Sequence, residues 1–270
     1  LAGRAELADE FNTKATQLQA LVQKTLWNPD LQFFGSVNEQ LAPIAVREEI
    51  GFIPWYFYLP ESGKGYEIAW KQLMDETGFK APWGITTAER RHPGFRTHGS
   101  GHSCEWDGAV WPYATSQTLT ALANVVRDYP QEAVSNRDWY EAFLTYTKSH
   151  VYDGLPYIGE YQDEKTGAWL KGRDPRSYYY NHSTYADLVI TGLVGLRPRA
   201  DNVVEVAPLL PAGAMDWFAL EGVRYHGREL AIVWDKDGKH YGRGMGLQII
   251  VDGKSLARSE RLERLTVALP

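Results

Sequence analysis

The sequence predicts a mainly α-helical region over residues 1–198, followed by a small antiparallel β module over residues 199–270. Three observations predict it. Residues 4–26 place Leu7, Phe11, Ala15, Leu18, Val22 and Leu26 three and four positions apart, the period of a helix with one buried face. Residues 112–128 repeat that period, with Leu119, Leu122, Ala123 and Val126 on one side. Beyond Pro198 the runs VVEVAPLL, DWFALEGVRYHG, ELAIVWD and LQIIVDG are short, β-branched and partly alternating, and Asp-Gly and Gly-rich turns separate them as in hairpins.

Taken in order, the first helix ends before Asn28-Pro29, and LWNPDLQFFGSV reads as a loop with an aromatic pair. A second helical region covers residues 49–58 with Pro54 interrupting it, and a third runs from 65 to 77, stopped by Gly78. Residues 78–111 are rich in Gly, Pro, His, Ser and Thr without periodicity, and long ordered loops of this kind are usually functional. After the 112–128 helix, residues 136–150 form another, with Asn136 as the expected N-cap. A loop over 151–182 precedes a short apolar helix at 183–195, closed by Gly195.

Composition narrows the function. No apolar run approaches the roughly eighteen residues of a membrane span, so a bilayer-spanning role is not expected. The net charge of −6, without a Lys/Arg stripe, argues against tracking a nucleic acid backbone. Both observations favour a neutral partner. One cysteine, Cys104, excludes an internal disulfide and a multi-cysteine metal site. Aromatics reach 13%, and eight of the ten tryptophans precede residue 170.

The run Cys104–Tyr113, CEWDGAVWPY, concentrates the chemistry. Trp106 and Trp111 offer flat apolar faces to a pyranose, Glu105 and Asp107 accept from its hydroxyls, and Gly108 lets the backbone pass close. The competing reading makes both tryptophans core residues at the start of a helix, with Pro112 in its first turn. A second signal is GEYQDEKTG, where Glu160 stands between Gly159 and Tyr161 in the loop between two helices. His92, His98 and His102 lack the spacing and surroundings of a zinc site, and no metal is expected. His182, in YNHSTY, precedes a helix and serves either structure or the pocket.

Taken together, LWNPDLQFF, GFIPWYFYLP, PWGITT, EWDGAVWPYATSQTLTALANVV, GEYQDEKTG and YYYNHSTYADLVITGLVGLRP before a β module resemble the six-hairpin glycoside hydrolases. The likeness is to the mannosylglycerate-hydrolase-like group, related to trehalases and processing α-glucosidases. It covers most of the chain. The resemblance implies an (α/α)6 toroid followed by a β-sandwich module, and hydrolysis by inversion with two carboxyl groups and no cofactor. It places Glu160 at the general base and Trp106, Asp107 and Trp111 on the substrate-binding motif; the residues themselves offer Tyr161, Glu49, Arg47 and His182 as further substrate-binding candidates. Periplasmic or secreted placement is implied by the same resemblance.

In these relatives the general acid is an Asp in an aromatic motif upstream of anything present here, and about six helical segments precede residue 198, half of what a toroid needs. The expectation is therefore the C-terminal half of a barrel whose partner half supplies the acid. Within the chain Glu105, Asp107 and Glu49 are the substitute acids, with Arg47 expected to lower the pKa of Glu49 and direct it to hydroxyl binding. The alternative is a non-catalytic sugar-binding or assembly piece. A phosphorylase would need a phosphate cradle, and no Gly-rich helix start supplies one.

Overall fold

Ala5–Leu26 forms the long helix α1 that the apolar period requires, yet its stripe is not covered. Leu7, Phe11, Leu18 and Leu21 are exposed and Val22 is buried. Periodicity reports that a face is apolar, and a neighbour must still be present to cover it. The C-terminal end of α1 joins the rest of its unit, where Gln23 exchanges hydrogen bonds with Glu61.

The computed structural model describes residues 3–97, 106–171, 174–178, 180 and 184–270. Its chain packs as two units, Leu1–Thr184 and Tyr185–Pro270. The first is organised around an aromatic core. Trp27-Asn28 pairs with Phe33-Phe34 in a minimal antiparallel ladder. Phe33 meets Phe52 edge-on at 5.0 Å, and Phe34 meets Trp55 in the same way at 5.3 Å. Edge-to-face contacts of this kind set the negative ring face against the positive ring edge.

Glu49–Phe52 is a 3-10 turn that runs directly into the short helix α2, Ile53–Tyr56. Pro54 sits at its first turn, so it starts this helix, whereas the sequence suggested an interruption. The third helical segment is shorter and tighter than its periodicity suggested, a 3-10 helix over Tyr66–Gln72. The left-handed Gly65 at its N-cap and the turn at Gly78 leave no room for further regular turns.

Helix α3 spans Pro112–Asp128 and helix α4 spans Asn136–Ser149. They are pinned together by fully buried Trp139, whose indole N–H donates to the Leu119 carbonyl at 3.0 Å. The N-cap of α4 is Ser135, one residue before the Asn136 expected from the sequence. Asp138 closes a capping box there by accepting the Ser135 backbone N–H at 2.8 Å.

In the second unit a single α turn, Tyr185–Asp187, continues as a π-helix over Leu188–Val194 and ends at left-handed Gly195. Four antiparallel strands follow in the order Lys254–Ser259, Gly246–Val251, Arg228–Asp235, Trp217–Tyr225. Leu265–Ala268, Val203–Val206 and Leu196–Arg197 form a second sheet. Ile232, Val233, Leu247 and Ile249 are buried, as alternating and continuous apolar strands demand when a sheet is covered. The architecture is thus a mainly helical domain followed by a β-sandwich-like region.

Candidate functional site

Five short extended segments of the first unit bring the motifs into register. Glu48 bridges to Ala88, Thr86 to Val110, Val110 to Gln162 and Gln162 to Trp169. The Glu49 N–H donates to the Thr87 carbonyl at 2.8 Å, and Val110 and Gln162 exchange backbone hydrogen bonds at 3.0 and 2.9 Å. The Thr87 hydroxyl ties the second and third segments by accepting the Gly108 N–H and donating to the Ala109 carbonyl, both at 3.1 Å. Glu49, the Trp106–Trp111 loop and Glu160 therefore stand on neighbouring rungs, although more than a hundred residues separate the first from the last.

Glu160 is 2% exposed. Its Oε2 accepts the hydroxyl of buried Ser177 at 2.7 Å, and the Arg176 guanidinium lies 3.9 Å from Oε1. Ser177 is itself held by Tyr157, whose hydroxyl donates to the Ser177 carbonyl at 3.1 Å. The Ser177 contact fixes the carboxylate's orientation; nothing in the sequence around DPRSYYY marked that serine.

The aromatic residues form a stack. Trp111, only 4% exposed, lies between Trp106 at 4.2 Å and Tyr161 at 4.9 Å, with Lys171 over the Tyr161 ring at 5.8 Å. Both faces of Trp111 are occupied, and the ring of Tyr161 is buried with it. Trp106, 44% exposed, keeps an open face. The two readings of these tryptophans are divided between them: Trp111 belongs to the core and Trp106 lines a cavity.

That cavity, of about 500 Å³, is lined by Trp106, Tyr113, Gln117, Ile50 and Ile53, with Ser36, Glu48, Thr87 and Glu49 among its polar lining. Glu49 is 2% exposed; its Oε1 accepts the Thr118 hydroxyl at 3.0 Å, and Oε2 has no hydrogen-bond partner among the described residues. Burial holds its carboxyl well above the usual carboxylate range, against the smaller lowering by the Thr118 hydrogen bond.

This overturns the sequence expectation that Arg47 would lower it. The Arg47 guanidinium turns away, donating to Glu89 at 2.8 Å and to the Leu31 carbonyl at 2.7 and 3.0 Å. Asp107 is likewise engaged by a cation, accepting from Arg96 Nε at 2.6 Å and pairing with its Nη2. Glu105, His182, His98, His102 and Cys104 lie outside the described residues. His92 accepts the Gly94 N–H at 3.0 Å through Nδ1. Among the described residues no group of three or more His, Cys, Asp or Glu could hold a metal.

The state of Glu49 has a measurable consequence. A carboxyl that holds its proton more tightly folded than unfolded supports the fold at low pH, and that support is lost as pH rises through its folded pKa. Glu49→Gln keeps the shape and cannot ionise. Its unfolding midpoint should match wild type near about pH 4 and exceed it near about pH 8, by about 2–4 °C for each kcal/mol relieved. A difference that stays constant between the two pH values would refute this.

Residues 1–183 match the family model of the mannosylglycerate hydrolase MGH1-like glycoside hydrolase domain, and residues 196–258 match that of the glycosyl hydrolase family 65 C-terminal domain. A solved structure named "Sialidase" is 52% identical to this chain with a TM-score of 0.94, covering 98% of this chain and 24% of its own. A GH63 mannosylglycerate hydrolase from Thermus thermophilus, in complex with glucose, is similar at 20% identity and a TM-score of 0.43, covering 62% of this chain and 37% of its own. An uncharacterized conserved protein from the same organism matches at 22% identity and a TM-score of 0.41, covering 54% of this chain and 33% of its own. This chain thus spans roughly a quarter to well under half of the length of these structures.

Proposed function

We propose that this chain, which belongs to the mannosylglycerate hydrolase MGH1-like glycoside hydrolase family, carries the general-base half of an inverting exo-glycosidase acting on an oligo- or polysaccharide. The observation that carries the reading is Glu160, a buried carboxylate oriented by Ser177 and bonded through the ladder to the Trp106–Trp111 loop. In the proposed reaction Glu160 takes a proton from a water as that water attacks the anomeric carbon. An acid on the opposite face protonates the leaving oxygen as the glycosidic bond breaks. Trp106 supplies the open aromatic face; Asp107, Tyr161, Arg47 and Trp111 shape the site from behind it through the contacts described above.

Glu49 is not paired with Glu160 in this reading: Glu49 belongs to the cavity lining and Glu160 does not. Asp107 is committed to Arg96. The acid is therefore assigned to a helical half-barrel that is not part of these 270 residues, the same partner that would cover Leu7, Phe11, Leu18 and Leu21 on α1. Breakdown of an external polysaccharide, with periplasmic or secreted placement, belongs to the same proposal. The name "Sialidase" describes a chain about four times longer, and its activity is not carried over.

The test is to incubate the full-length protein with a panel of neutral oligosaccharides and follow the first product by proton NMR. Release of a sugar of inverted anomeric configuration is expected; retention would refute the mechanism. The commitment of Asp107 to Arg96 favours a second reading, a sugar-binding piece without turnover. Binding with no hydrolysis anywhere on the panel would establish it instead.

A further inference from the structure

We infer that the second unit carries a glycan-contact site of its own, an aromatic platform of Trp217 and His240 at one end of the four-stranded sheet that takes a neutral sugar ring. The inference goes beyond the proposed hydrolysis, since binding at this platform needs neither Glu160 nor a general acid.

The backbone builds the platform. Trp217 begins the edge strand Trp217–Tyr225 and pairs with Asp235, the last residue of Arg228–Asp235, which pairs in turn with Gly246. The connection between the second and third of these strands covers residues 236–245, whereas a hairpin commonly closes with about two residues. This long loop is tied down. Asp235, 1% exposed, accepts the Gly238 N–H at 2.9 Å and the Tyr241 N–H at 2.8 Å. The Gln248 side-chain amide donates to the Arg243 and Gly244 carbonyls at 3.0 and 3.1 Å. Gly238 has a φ of +75°, and a Cβ there would lie 2.7 Å from the Met245 nitrogen, so glycine lets the loop fold back on itself.

What the loop presents is a braced indole. His240 lies parallel to Trp217, with 3.8 Å between centroids and 5° between planes, and Tyr241 stands edge-on to both at 6.1 and 4.6 Å. Trp217 nevertheless remains 47% exposed. A single exposed apolar side chain is ordinary; one braced by two rings and lining a cavity with a polar rim has the make-up of a binding surface. Trp217 and His240 line a cavity of about 450 Å³ together with Asp216, Lys236, Asp237 and Lys239.

The rim selects the ligand class. Lys236 donates to Asp216 at 2.8 Å, and Lys239 pairs with Asp237 at 3.1 Å. Both pairs are exposed, so they contribute little to stability and rearrange at little cost when a ligand arrives. An ammonium has three donors and a carboxylate several acceptor positions, so one bond within each pair leaves capacity for neighbouring hydroxyls. A pyranose is the complement, with an apolar C–H face for the indole and a hydroxyl rim for the charged groups. An acidic sugar or a phosphate would instead meet carboxylates in excess, Asp216, Asp235 and Asp237 against two lysines that are already paired.

The experiment measures binding in a parent that carries both Glu160→Gln and Trp106→Ala in the full-length protein, so its outcome does not depend on whether Glu160 is catalytic. Maltohexaose, mannohexaose, xylohexaose and hexagalacturonate are titrated by calorimetry. At least one neutral hexasaccharide should bind, at least about tenfold more tightly than the acidic one. Trp217→Ala should weaken that binding by about tenfold or more, whereas Trp217→Tyr, which keeps a flat ring, should hold it within about threefold. Because Trp217 begins a strand, thermal unfolding checks each variant, and His240→Ala, confined to an exposed loop side chain, gives a second reading: loss of the brace should weaken binding by about threefold or more. No binding of any neutral hexasaccharide, tighter binding of hexagalacturonate, or parental affinity in both Trp217→Ala and His240→Ala would each overturn the proposal.

Discussion

Glu160→Gln in the full-length protein is expected to lower kcat by about 10²–10⁴-fold while leaving KM within a few-fold, the signature of a group that acts on the reacting water and not on the ground-state sugar. The side chain is 2% exposed and held by Ser177 at 2.7 Å, and an amide of the same shape keeps that hydrogen bond but cannot take a proton. Ser177→Ala should cost less, about tenfold, because it loosens the carboxylate without removing it. Glu160→Ala opens a space in which added azide can attack the anomeric carbon itself. Partial recovery of turnover with azide, giving a glycosyl azide, is the positive control for a missing nucleophile activator. A loss below about tenfold in Glu160→Gln would remove this residue from the chemistry.

Gly108→Ala is expected to destabilise the first unit by about 3 kcal/mol and to disorganise the aromatic loop. A methyl at position 108 would lie 2.2 Å from the Arg96 carbonyl oxygen and 2.6 Å from its carbon. Both are backbone atoms, so no side-chain rotation relieves the clash. The Arg96 N–H donates to the Asp107 carbonyl at 2.8 Å, and the Gly108 N–H donates to Thr87 at 3.1 Å, so a shift at position 108 pulls on two neighbouring segments. Thermal unfolding should show a midpoint lower by about 6–12 °C, and sugar binding should fall with it. A midpoint within about 1 °C of wild type would mean that the two segments are not in contact in solution.

How much of this was legible in the sequence depends on the range over which each feature is determined. Helices α3 and α4 were readable because propensity, apolar period and end signals are local and agree. The cap of α4 was misplaced by one residue because Ser135 and Asn136 are both good caps, and only the reach of Asp138 decides between them. The 183–195 segment showed an apolar helix closed by glycine, but nothing local distinguishes a π-helix from an α-helix over Leu188–Val194. At the site, the proposed roles of Glu160 and of the Trp106–Trp111 loop rest on motif order. The burial of Trp111 and the raised pKa of Glu49 did not. Trp111 is covered by Tyr161, fifty residues on, and Glu49 is bonded by Thr118, sixty-nine residues on. Arg47 shows the converse error. Two residues from Glu49 in sequence, it serves Glu89 and Leu31 instead, because adjacency along an irregular chain says little about where a long side chain ends.

The rungs that join residues 48, 88, 110, 162 and 169 have a bearing on how the molecule comes into being. Pairings between such remote stretches pay their loop-closure entropy before any reward, so they form late and slowly compared with the helices. During synthesis, at about 5–20 residues per second, the last of these rungs cannot form until the stretch around Trp169 has left the ribosome. Mutations along these rungs should therefore show in yield and chaperone dependence before they show in the properties of the finished protein.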